Sequence, residues 1–180
     1  MDKKPLFSKQ DALALAGAIC ISLLAMYLFS RVQGVQDWGY VGVFFISLVS
    51  SATVFVPMPG FAIVFAMGAF LNPLLVGVAA GVGSGLGEMT GYLAGFAGHD
   101  AVMGTKLFRR HKEGIEKYGL FGIFALAFVP NPVFDIAGVA AGAIKMPIWK
   151  FLLATICGKT VRYILLAYAG EIAYGFWQWG

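Results

Sequence analysis

Glu88, Asp135, Lys159 and Arg162 are charged residues well inside the apolar stretches of this chain. Charges in such surroundings are costly, so they face an interior cavity or a partner. A carboxylate there can take up a proton, and lysine or arginine can receive a phosphate or carboxylate group. Thr155, Lys159, Arg162 and Tyr163 fall at i, i+4, i+7 and i+8, one face of a helix. Tyr92 lies one turn beyond Glu88, and Asn131 stands between two prolines ahead of Asp135. The expected site uses Glu88 and Asp135 as the titrating pair of a polar cavity. Arg162 and Lys159 bind an anionic group, with Tyr92 and Asn131 beside them. Two plainer readings stay open. Glu88 and Arg162 can form a salt bridge that only locks two halves together, and Asp135 can serve the dipole of the helix whose first turn it occupies.

Nothing else in the chain matches a known chemical pattern. There is no HExxH, P-loop, GxSxG or paired-cysteine motif. Cys20 and Cys157 sit in apolar segments as small hydrophobes, and His99 and His111 fall at or outside the membrane interface. No metal site, no cofactor and no enzyme is expected: the polar inventory inside the apolar segments is too sparse for most catalysis.

The elements that must position these residues follow from composition. The chain is 59% hydrophobic and 12% charged, with a mean hydropathy of +0.81. Soluble proteins average about 25% charged residues. No charge occurs from Trp38 through Gly87, or between Asp11 and Arg31, so the chain reads as an integral membrane protein. The apolar stretch Ala12 to Phe29 has the ~20 residues that span a bilayer and no small-x-small cleavage site after it, unlike a signal peptide. Basic residues gather at Lys3, Lys4 and Lys9, and again at Lys106, Arg109, Arg110, Lys112 and Lys117. Such clusters mark the cytoplasmic side and attract anionic lipid. Without an aromatic platform they do not point to nucleic acid.

Two stretches repeat. Trp38-Gly39-Tyr40-Val41-Gly42-Val43-Phe44 matches Tyr118-Gly119-Leu120-Phe121-Gly122-Ile123-Phe124, and Val56-Pro57-Met58-Pro59 matches Val129-Pro130-Asn131-Pro132. Gly68-Ala69-Phe70-Leu71-Asn72-Pro73 matches Gly142-Ala143-Ile144-Lys145-Met146-Pro147, and the same register sets Glu88 opposite Arg162. Broken hydrophobic segments in corresponding places of two halves point to a transport site at their interface. The apolar pieces are 12–29, 39–56, 60–71, 73–98, 119–129, 133–144 and 148–176. The pieces 60–71, 119–129 and 133–144 are too short for the ~30 Å hydrocarbon core at about 1.5 Å per residue. Each short pair meets at a Pro-x-Pro, and proline favours the first turn of a new helix. Each therefore reads as a re-entrant hairpin, with tips at Pro57 and Pro59 and at Pro130 and Pro132.

The fold expected is an all-α membrane protein: an inverted repeat of two opposed re-entrant hairpins, each followed by a transmembrane helix, plus an N-terminal transmembrane helix and an interfacial amphipathic helix. The units are 1–37 (cytoplasmic tail and first span), 38–98 (first repeat), 99–117 (basic interfacial helix) and 118–180 (second repeat). With a cytoplasmic N-terminus every basic cluster lands inside, Lys145 and Lys150 included, and Trp177 and Trp179 reach the outer interface. The piece 39–56 could instead span outright, which would place the basic segment outside; the positive-inside rule favours the hairpin. Glycines at Gly77, Gly81, Gly85 and at Gly83, Gly87, Gly91, Gly95 let helix backbones approach closely in lipid.

At these residues the chain resembles the DedA family, also called the VTT or SNARE-associated Golgi protein family. Gly87-Glu88-Met89-Thr90-Gly91-Tyr92-Leu93-Ala94-Gly95 is similar to that family's glycine–acid–glycine–tyrosine stretch. Val129-Pro130-Asn131-Pro132-Val133-Phe134-Asp135-Ile136-Ala137-Gly138 is closer to the vacuole membrane protein branch, as are Pro147-Ile148-Trp149-Lys150-Phe151 and Ala154-Thr155-Ile156-Cys157-Gly158-Lys159. The short length is that expected of a prokaryotic member. The resemblance implies opposed re-entrant hairpins and ion-coupled movement of lipids across the bilayer. Acids near the hairpin tips correspond to Glu88 by position and to Asp135 by motif. Many bacterial members carry arginines around the second hairpin proline, where this chain has Ala127 and Val133. That favours a phospholipid over a polyprenyl phosphate.

The expected function is a lipid translocase or scramblase of the cytoplasmic membrane, with phospholipids as partners and coupling to protons or Na+. A proton- or ion-coupled small-solute transporter is the alternative, and a scaffold held by glycine packing is a third reading. The glycine-rich faces permit a homo-oligomer.

Overall fold

A computed structural model describes residues 35–52, 60–99, 119–130 and 133–179. The first apolar segment at 12–29, the hairpin residues Pro57, Pro59, Asn131 and Pro132, and the basic segment 101–117 lie outside the described residues. Among the described residues there is no strand. The helices are α1 (Val35–Ala52), α2 (Gly60–Phe70), α3 (Pro73–Gly87), α4 (Met89–Ala97), α5 (Gly119–Phe128), α6 (Val133–Ala143) and α7 (Ile148–Trp179).

Two helices are long and apolar enough to cross a membrane: Pro73–Ala97, formed by α3 and α4 together, and Ile148–Trp177 within α7. The other apolar helices are shorter. At 11 residues each, α2 and α6 are about 17 Å long. Pro73 opens α3, where its missing N–H costs nothing. The Asn72 side chain caps that end, its Oδ1 accepting from the amides of Leu74 and Leu75. The stretch 73–97 runs as one span: at Glu88, where α3 meets α4, the Glu88 amide still donates to the Ser84 carbonyl and the Tyr92 amide to the Glu88 carbonyl.

The two matching Tyr/Trp-Gly dipeptides do the same backbone work. Gly39 and Gly119 both take a positive φ, 51° and 42°, a region that residues with a Cβ enter at a cost. Each marks the start of a short apolar helix: Gly39–Ala52 and Gly119–Phe128.

Glycine sets the packing. On one face of α3, a Cβ at Gly77, Gly81 or Gly85 would strike Ile164, Thr160 or Ile156 of α7. The paired numbers run in opposite directions, so α3 and α7 are antiparallel. On its other face, Gly83 and Gly87 lie on the carbonyls of Phe44 and Leu48 in α1, a parallel pairing. Helix α2 rests on α7, and α6 rests on α4. Gly95 approaches the Val139 carbonyl of α6 as expected of a packing glycine. Gly91 departs from the expectation: among the described residues, no atom lies within 4 Å of a Cβ placed there. It lies in α4, one turn past Gly87.

The core has two main clusters. Tyr92, Ile123, Phe134 and Phe151 lie in one; Val43, Val64, Val76 and Tyr163 lie in the other. Large side chains such as Phe121, Phe176, Trp149 and Trp177 are exposed, as suits helices whose outer faces meet lipid rather than water.

Candidate functional site

Glu88, where α3 meets α4, presents its carboxylate to α7, where the Lys159 ammonium forms an ion pair and hydrogen bond with Oε1. The pair is almost fully buried, with relative exposures of 5% for Glu88 and 3% for Lys159. Lys159 Nζ also donates to Ser84 Oγ at 2.8 Å and to Ser51 Oγ at 3.3 Å. The two serine hydroxyls bond each other, and Ser84 Oγ lies 3.5 Å from Tyr163 Oη. Three helices therefore contribute to one polar cluster: α1 through Ser51, α3 through Ser84 and Glu88, α7 through Lys159 and Tyr163. A buried charge pair is tolerable when the remaining donors are also satisfied, and all three protons of the ammonium have an acceptor here.

The Glu88–Arg162 salt bridge that the sequence left open is not the pairing observed. The register that aligns the two stretches in sequence differs from the register in which their helices pack. With Gly77 against Ile164 and Gly81 against Thr160, Arg162 stands level with Ala79, about two and a half turns from Glu88 along the axis. Lys159 is one turn closer and reaches the carboxylate. Thr155, Lys159 and Tyr163 are buried along one stripe of α7, and Arg162 lies at its edge, half-buried. The Arg162 guanidinium lies 4.8 Å from the centre of the Phe61 ring and 5.1 Å from that of Tyr163. Its Nε has no hydrogen-bond partner.

Both short helices bring their first turns to this centre. Phe61, in the first turn of α2, covers Arg162. Phe134, in the first turn of α6, lies 5.1 Å from Lys159 Nζ. Asp135 follows Phe134 but is exposed, and among the described residues it joins neither cation in a salt bridge. The cluster is thus Glu88 with Lys159, flanked by Arg162 and Asp135, rather than a Glu88–Asp135 pair.

Tyr92 is placed elsewhere. Its hydroxyl donates to the Met146 carbonyl and its ring stacks on Phe151 at 5.1 Å. It fastens α4 to the start of α7 and does not line the charged cluster. Asn131 lies outside the described residues. Sequence reasoning missed Ser51 and Ser84. Ser84 had a signal, being one turn before Glu88 on the same face; Ser51 had none, because only the packing of α1 on α3 brings it in. Ser47 and Thr155, one turn before Ser51 and Lys159, are buried with hydroxyls that have no partner. Among the described residues, no group of three His, Cys, Asp or Glu side chains could hold a metal.

Residues 58–172 match the VTT domain. The chain belongs to the VTT domain family. That stretch includes α2, α3, α4, α5, α6 and the charged cluster, and it makes this a membrane protein of the DedA type. Among curated relatives, human vacuole membrane protein 1 is 47% identical over 47 residues, 26% of this chain and 12% of that protein. The Dictyostelium discoideum homolog is 51% identical over 47 residues, with the same shares. Vacuole membrane protein KMS2 of Arabidopsis thaliana is 51% identical over 41 residues, 23% of this chain and 10% of its own. The match thus spans about a tenth of the length of these VTT relatives. No solved structure matches the chain.

Proposed function

We propose that this VTT domain protein moves phospholipid across the bilayer, as a translocase or scramblase, through a groove beside the Glu88–Lys159 cluster. One observation carries the reading: a buried ion pair, tied to two serines, lies between the two membrane-crossing segments where the first turns of both short helices converge. Charge at that depth is retained for a use. The half-buried Arg162 and the exposed Asp135 extend the polar path from the pair toward the surface. Arg162 offers a phosphate its planar donors, and the hydroxyls of Ser47 and Thr155 supply unused hydrogen-bonding capacity.

In this reading α1 with α2, and α5 with α6, are re-entrant hairpins related as an inverted repeat. Three pairs of matching contacts support it. Gly83 meets the Phe44 carbonyl and Gly158 the Phe124 carbonyl. Gly68 meets Ala167 and Gly142 meets Tyr92. Gly170 meets the Phe65 carbonyl and Gly95 the Val139 carbonyl. Helices of about 17 Å cannot cross a ~30 Å core, so they return to the side they enter. Opposed hairpins thin the barrier, and the acyl tails stay in lipid while the headgroup follows the groove.

The test is transbilayer movement of labelled phospholipids in proteoliposomes. Movement above protein-free vesicles, with a drop in both Asp135→Asn and Arg162→Ala, is the expected result. No movement across several headgroups, with and without a pH gradient, removes the lipid reading. A second reading then stands, a proton- or ion-coupled solute transporter. The near-complete burial of Glu88 and Lys159 favours it, because an enclosed pair suits a small solute better than a lipid.

A further inference from the structure

A second polar feature lies where α6 turns into α7. An open groove of about 440 Å3 lies there between α5 and the 144–150 segment, lined by Leu120, Ile144, Lys145, Pro147, Trp149 and Lys150. Neither lysine is in an ion pair among the described residues. Each rests on an aromatic ring instead: Lys145 Nζ is 5.6 Å from the Phe96 ring centre, and Lys150 Nζ is 5.4 Å from that of Trp149. Trp149 itself is 62% exposed.

The backbone at Lys145 is the more informative observation. Helix α6 ends in a Schellman motif: the Met146 amide donates to the Ala141 carbonyl and the Lys145 amide to the Gly142 carbonyl. That motif puts its penultimate residue in the left-handed region, normally a glycine. Here the residue is Lys145, at φ 56°, and it is the one described non-glycine residue with a positive φ. Strain of this kind is kept where the side chain has work to do. Glycine would relieve it and would lose the ammonium.

We infer that this groove binds the headgroup of an anionic phospholipid, with Lys145 and Lys150 on its phosphate and Trp149 against its glycerol and upper acyl region. A lipid is favoured over a soluble phosphate because the walls are apolar and the groove sits at the end of a membrane-crossing helix, where tryptophan and lysine meet headgroups. The site is separate from the Glu88–Lys159 cluster, and its lipid would be bound rather than moved. It stands whether or not the chain translocates lipid.

The test uses the full chain with Trp38, Trp177 and Trp179 changed to Phe, so that Trp149 alone fluoresces, reconstituted in vesicles. Brominated phosphatidylglycerol is compared with brominated phosphatidylcholine as quencher. Phosphatidylglycerol should quench Trp149 at much lower mole fraction. One lysine near an anionic surface contributes about fivefold, so Lys145→Gln with Lys150→Gln should reduce the preference roughly twentyfold. Lys145→Gly is the second variant: it should raise thermal stability by relaxing the backbone yet weaken the preference about fivefold. Equal quenching by both lipids, or an unchanged preference in the double variant, overturns the proposal. So does a preference abolished by inorganic phosphate but not by chloride of equal ionic strength, which would make the ligand a soluble phosphate.

Discussion

Helix α2 lies on α7 where Gly170 approaches the Phe65 carbonyl, and helix α6 lies on α4 where Gly95 approaches the Val139 carbonyl. The numbers 65 and 139 differ by the same 74 that separates Gly68 from Gly142 and Glu88 from Arg162. In backbone terms the two docks are alike: a glycine against a carbonyl of a short helix. In charge they are not. The first turn of α2 offers Arg162 a neutral ring, Phe61; the residue 74 positions on is Asp135, exposed beside the ring that faces Lys159. Close helix contact in lipid asks only for a missing side chain, so both docks can share it. An intramembrane charge asks for a specific partner within reach, so each half carries a different member of the pair.

The largest expected effect breaks the charged side of that comparison. Lys159→Met leaves the Glu88 carboxylate buried without its cation, and should destabilise the protein by about 3–5 kcal/mol. Adding Glu88→Gln should recover most of the loss; thermal unfolding in detergent reads both. A single Lys159→Met protein as stable as the wild type would show that the pair holds nothing together.

The packed side comes next. Gly95→Val and Gly170→Val each force a side chain into an opposing backbone carbonyl, and should cost about 1–3 kcal/mol. The two losses should be similar. If one dock tolerates valine and the other unfolds, the docks are not equivalent, and the repeat argument weakens.

Arg162→Gln sharpens the contrast between stability and transport. Loss of the stacked guanidinium should cost only about 1 kcal/mol, while lipid movement in proteoliposomes should fall well below wild type. Equal, small losses in both measurements would make Arg162 a packing residue. The smallest effect is expected at Gly91, where an added methyl meets nothing among the described residues. Gly91→Ala should stay within about 0.5 kcal/mol of wild type in the same unfolding assay.

Much of the scaffold was legible. Prolines and apolar run lengths gave α2, α6 and the two crossing segments to within a few residues, because a missing amide and a 1.5 Å rise act locally. The glycine spacing showed which faces of α3 approach other helices. The charged residues were legible as a set, since any charge in an apolar run is conspicuous. Their pairing was not. Glu88 with Arg162 followed from the sequence repeat, whereas Glu88 with Lys159 follows from antiparallel packing of α3 on α7. Tyr92 looked like a site residue because it follows Glu88 by one turn, and the structure spends its hydroxyl on the Met146 carbonyl.

The sequence by itself determined that this is a helical membrane protein of the VTT kind, built from short and long apolar segments in two matching sets, with a few charges inside them. Those properties depend on composition and on spacing along one helix. Only the tertiary structure decided that Lys159 rather than Arg162 neutralises Glu88, that Ser51 and Ser84 complete the cluster, and that Asp135 stands outside it. The reason is geometric. Which side chains meet depends on the register and direction in which two helices pack, and no residue's own neighbours along the chain encode that.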